Sequence, residues 1–171
     1  MDKKNNISKA KSTAYAGVLT ALAMLLSYIE SLIPISFAIP GIKLGLANLV
    51  TIVALYKLNI KLAIVISVIR IVLSGILFGN PVMIVYSLAG ATLSLLIMII
   101  VKKLHFFTVT GVSVCGAIFH NIGQLVIAAI LVENARVLYY FAALLVSGTV
   151  FGVIIGVLAA FTIKNIHINT Y

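Results

Sequence analysis

Eight polar side chains fall within or at the edges of long apolar runs: Glu30, Lys43, Asn48, Arg70, Asn80, His120, Asn121 and Gln124. A charged group at mid-bilayer costs about 2.5–3.5 kcal/mol on insertion scales, so such residues turn toward a bundle interior or a watery cavity and are paired or functional. The chemistry they offer is binding. Lys43 and Arg70, with His120 when protonated, outweigh the single carboxylate of Glu30. A ligand bearing a carboxylate or phosphate suits Arg and Lys donors, and apolar walls suit a body that is hydrophobic or aromatic. His120 and Gln124, four residues apart, share a helical face and could meet one ligand. Asn121 points about 100° away and could brace a neighbouring helix instead.

Each of these residues has a plainer use. Glu30 could bridge to Lys43 or Arg70, Lys43 could snorkel to the headgroups, and His120 could be a hydrogen-bonded helix contact. Glu133 and Arg136 read as a solvated pair. Signs of covalent or metal chemistry are missing. There is no GxxxxGK[ST] to cradle phosphates, no HExxH and no Cys/His metal spacing. Cys115 is a lone cysteine in an apolar run, so no disulfide forms within the chain, and it reads as a packing residue. No cofactor is expected.

The elements that must position these residues are membrane spans. Of 171 residues, 63% are hydrophobic and only 9% charged, and the mean hydropathy is +1.27. Soluble domains are nearer half apolar and a quarter charged, so lipid must solvate part of this surface. The clear runs are Thr13–Ile33, Leu62–Phe78, Val82–Val101, Val109–Val132 and Val137–Ile163. Leu44–Tyr56 is short but too apolar for a loop, and it reads as a second span continuing outward through Ile42 and Lys43. The reading is an all-α, polytopic bundle of about six spans. A basic tail over 1–11 and a short tail over 165–171 flank one transmembrane domain over 12–164, and no cleavable signal peptide is evident.

Charge placement orients the bundle. With the N-terminus inside, nine Lys residues lie on the inner side (Lys3, Lys4, Lys9, Lys11, Lys57, Lys61, Lys102, Lys103 and Lys164) against two outer charges, Lys43 and Arg136. That bias is what the positive-inside rule expects, and it fails if the second span is dropped. It also explains the net charge of +9 without nucleic acid. In this orientation the polar residues lie in the outer half and the inner half has few. The pattern describes a cavity open outward and closed below. The stretch Ser31–Lys43, with two prolines and many apolar residues, should fold back over the bundle rather than sit free in water.

Two stripes of small residues could bring helices together. Ala10, Ala14, Gly17 and Ala21 share one face of the first span, suited either to internal packing or to docking another membrane subunit. Gly148, Gly152 and Gly156 suit internal packing of the sixth.

The stretch Pro40-Gly41-Ile42-Lys43-Leu44-Gly45-Leu46-Ala47-Asn48, the six spans and His120-Asn121-Ile122-Gly123-Gln124 together resemble a bacterial membrane family. Its members are labelled either Gx transporter family protein or heptaprenyl diphosphate synthase component I. In size and layout the family is similar to the substrate-binding S components of energy-coupling factor transporters. That resemblance implies a subunit of the bacterial cytoplasmic membrane, in contact with lipid, that takes a small molecule in its outer half beneath the Ser31–Lys43 connection. It also implies that Ala10, Ala14, Gly17 and Ala21 dock on a coupling subunit served by separate ATPases. The other label implies a role in polyprenyl diphosphate synthesis. Prenyl diphosphate synthases hold Mg²⁺ through paired Asp-rich motifs, and Mg²⁺ sites need carboxylates. This chain has only Asp2, Glu30 and Glu133, so catalysis is not expected and an accessory role needs none. A stand-alone carrier is a third reading, disfavoured by the scarcity of carboxylates for proton coupling.

Overall fold

Long apolar runs bounded by Asn, Thr, Pro and Gly fold as helices with defined starts. The computed structural model describes residues 2–33, 44–133 and 139–166. Six helices are found there: α1 (Asp2–Leu32), α2 (Leu46–Lys57), α3 (Ile60–Phe78), α4 (Pro81–Lys103), α5 (Val109–Val132) and α6 (Phe141–Asn165). No strand occurs among the described residues. α1 already begins at Asp2, so the basic N-terminal segment continues the helix of the first span. Side chains satisfy the first amides of three helices. Asn59 accepts from Leu62 N–H at 2.8 Å, Asn80 from Met83 N–H at 2.8 Å, and Thr108 from Gly111 N–H at 3.2 Å. Pro81 adds a fixed φ at a position that needs no donor.

The chain is an all-α membrane bundle. Five helices are long and apolar enough to cross a bilayer: α1 from Ala10, and α3 to α6. α2 is different. Its 12 residues rise about 18 Å, well short of a hydrocarbon core of about 30 Å. Residues 50–55 are buried without interruption, as expected of a helix apolar all round and enclosed by protein. The outward continuation through Ile42 and Lys43 and the fold of residues 34–43 lie outside the described residues.

The helices close on themselves. α1 packs on α2 and α3, α3 on α4, α4 on α5, α5 on α6, and α6 back on α2. Small residues set the closest approaches. A Cβ built on Gly123 of α5 would stand 2.8 Å from Ala89 O of α4, and one on Gly152 of α6 would stand 2.8 Å from Val114 Cα of α5. Gly148 and Gly156 likewise face α5, so the α6 stripe packs internally. The α1 stripe does not: Ala10, Ala14, Gly17 and Ala21 are all exposed, and a Cβ on Gly17 would meet nothing within 4 Å.

One half of the bundle is an apolar plug. Ala16, Ala23, Leu55, Ala63, Ile66, Met98, Val112 and Ala159 belong to its buried core. It lies toward the basic helix ends, where Lys102 Nζ donates to Leu55 O at 2.6 Å and stands 4.6 Å from the centre of the Tyr56 ring. That cation meets free carbonyls at the end of α2 and ties α2 to the end of α4. Outward faces carry large apolar side chains such as Val18, Ile76 and Phe161, the surface lipid would solvate.

Candidate functional site

Glu30, Asn48, Arg70, His120 and Asn121 lie away from the Lys102 end. Glu30, in the last turn of α1, accepts the Gly45 N–H through Oε1 at 2.7 Å. Gly45 sits at φ 74°, a left-handed conformation that side chains with a Cβ rarely adopt. It turns the chain into α2, and Asn48 follows within the first turn. A carboxylate at the start of α2 also complements the positive end of the helix. Arg70, on α3, donates from Nη1 to Ser27 Oγ on α1 at 3.2 Å. The hydrogen bonds of Glu30 and Arg70 thus go to Gly45 and Ser27 rather than to one another. Arg70 Nε is buried with no hydrogen-bond partner among the described residues.

α4, α5 and α6 supply the facing wall. Gly90 of α4 makes room for α5: a Cβ there would stand 2.9 Å from Gln124 Cγ and 3.0 Å from His120 Nε2. His120 and Gln124 therefore do share the face turned to α4. Asn121 points aside and donates from Nδ2 to Leu144 O of α6 at 2.8 Å, bracing the two helices. Gly148 leaves space for that amide, since a Cβ there would stand 2.8 Å from Asn121 Nδ2.

These walls line two hollows that share residues. A central pocket of about 60 Å³ is lined by Glu30, Asn48, Arg70, His120 and Asn121, and reaches down to Ser94, Met98 and Ser113. A larger chamber of about 350 Å³ lies between α1, α3 and α4, and shares Glu30, Leu44, Arg70 and Ser87 with the first. Ligand pockets run from about 300 to 1,000 Å³, so the chamber has room for a small molecule, whereas the central pocket holds little more than a chemical group.

Of the eight residues singled out in the sequence, five meet in the central pocket. Gln124 is buried against α4 beside His120 and does not line either hollow. Asn80 is exposed and its side chain caps α4, a use that the Asn-Pro pair at a span's start could have signalled. Lys43 lies outside the described residues, as does Arg136. The hydroxyls of Ser27, Ser74 and Ser87 belong to the chamber wall and were missed. Serines are common in membrane helices, and only the spacing of Ser74 from Arg70 could have raised it. No group of three or more His, Cys, Asp or Glu able to hold a metal occurs among the described residues.

Apolar spanning helices around a buried sixth, with a polar pocket in one half, define a multi-pass membrane protein with an internal cavity. The chain belongs to the heptaprenyl diphosphate synthase component I family, whose model matches residues 19–162 of 171. No curated protein and no solved structure matches it.

Proposed function

We propose that this protein is a non-catalytic, substrate-binding subunit of the bacterial cytoplasmic membrane, with its N-terminus inside. It captures a small, anionic, partly hydrophobic molecule from the outer side, as S components of energy-coupling factor transporters do. One observation carries the reading. Glu30, Asn48, Arg70, His120 and Asn121 share a pocket whose floor, at Met98 and Ile155, belongs to the apolar core that continues toward the other end of the bundle. Polar groups that lipid would reject are gathered where a ligand could use them. Asn80 and Gln124 add to the polar layer from its rim and from behind its wall. The exposed α1 stripe of Ala10, Ala14, Gly17 and Ala21 supports docking on a coupling subunit, because the bundle itself leaves it unused. The coupling subunit and its ATPases are separate proteins.

A second reading takes its support from the family to which the chain belongs. There the protein is the membrane partner of a prenyl diphosphate synthase and holds a prenyl chain or its product. Affinity purification of the tagged protein from native membranes separates the two. Capture predicts a transmembrane coupling subunit and ATPases in the eluate, lost when Gly17 is replaced by Leu. A soluble prenyl synthase in their place would favour the second reading.

A further inference from the structure

Two buried donors on α3 lack acceptors among the described residues: Arg70 Nε and Ser74 Oγ. Four residues apart, they lie one above the other on a single helical face, and both Arg70 and Ser74 line the chamber between α1, α3 and α4. A hydroxyl in a helix ordinarily settles on the carbonyl four residues back. Thr20, Thr92, Thr149 and Thr162 all do so here, and Ser74 does not. Adjacent unmet donors, one of them cationic, fit an oxyanion whose oxygens accept from both. Ser27 and Ser87 bring further hydroxyls to the chamber, while Ile71, Phe78 and Met83 give it apolar wall.

Charge decides which oxyanion. Glu30 lines the same chamber as Arg70, held in place by the Gly45 amide, so among the described wall residues the two charges cancel. A monoanion can pair with the guanidinium at modest repulsion from Glu30. A phosphate monoester brings about −1.5 to −2 charges, and a diphosphate more, beside a fixed carboxylate that disfavours them.

We propose that the chamber seats an amphiphilic monocarboxylic acid, its carboxylate on Arg70 and Ser74 and its apolar body against Phe78 and Met83. This rests on the capture reading above and narrows it to a class of ligand. The acid can arrive from water or from the bilayer.

Thermal unfolding of the full chain in lipid nanodiscs tests it with three probes: hexanoate, hexyl phosphate and geranyl diphosphate. Hexanoate should raise the midpoint most and geranyl diphosphate least. Ser74→Ala removes only an unmet donor, so the protein should fold as before and bind hexanoate about tenfold more weakly. Phe78→Ala should weaken hexanoate as well. Competition by oleate incorporated in the nanodisc would support the carboxylate and place its source in the bilayer; hexanoate binding untouched by oleate would support a water-borne acid. Undiminished hexanoate binding by Ser74→Ala would overturn the assignment. So would stronger stabilisation by geranyl diphosphate, and if that binding still needed Arg70 and His120 the capture reading would stand alone. If none of the three probes binds, both fall.

Discussion

Arg70 is the residue on which most depends, because it is a cation at the depth of an apolar bundle with one donor spent on Ser27 and another buried without a partner among the described residues. Arg70→Ala should weaken ligand binding by roughly 30-fold or more, the size expected when one partner of a buried charged pair is removed. His120→Ala should also abolish useful affinity. Both variants should still insert and elute from size exclusion in detergent as the parent does; misfolding instead would mark them as scaffold. Gly45 answers to a different measurement. With φ at 74°, Gly45→Ala should lower stability by about 1–2 kcal/mol, read as a drop in the midpoint of thermal unfolding. The charged residues of this site were legible in the sequence because nothing in lipid explains them. The hydroxyls were not, since a serine in a span is satisfied by its own backbone as a rule. Asn80 was legible as polar, but its capping role comes from the helix start, which only the fold makes definite.

At the scale of helices, glycine has opposite meanings on α1 and α5. Gly123 is buried against α4, where an added Cβ would stand 2.9 Å from Gly90 Cα; Gly17 faces open space. Gly123→Leu should therefore force α4 and α5 apart and destabilise the bundle by about 1–3 kcal/mol or more. Gly17→Leu should leave its thermal unfolding unchanged while abolishing association with the proposed coupling subunit. The sequence offered the same small-residue spacing for α1 and α6 and could not say which stripe the bundle consumes. That depends on which helices become neighbours. The long spans were legible to within a few residues, because about 20 apolar residues in a row have few other uses. α2 was legible as a separate element, and its shortness follows from burial on every side rather than from contact with lipid.

For the whole molecule, the antiparallel run of helices puts the plug with Lys102 at one end and the cavity at the other. The nine-to-two distribution of basic residues predicts the proposed orientation, with the N-terminus inside. In a Cys115→Ala background, Glu133→Cys should react with an impermeant maleimide added to intact cells, and Lys103→Cys should react only after lysis. The reverse pattern would invert the bundle and put the cavity on the cytoplasmic side. The polar asymmetry itself was visible in the sequence once the spans were counted. The division into a small central pocket and a larger side chamber was not, because it depends on how α1, α3 and α4 diverge at one end.

Small molecules carried through purification give the most direct reading of whether the cavity is a ligand site. Parent protein and Arg70→Ala, prepared identically from native membranes, would be extracted and compared by mass spectrometry. An anionic, partly hydrophobic compound in stoichiometric amount with the parent and absent from the variant is expected. Identical extracts from two folded proteins would mean that Arg70 holds the bundle together and captures nothing.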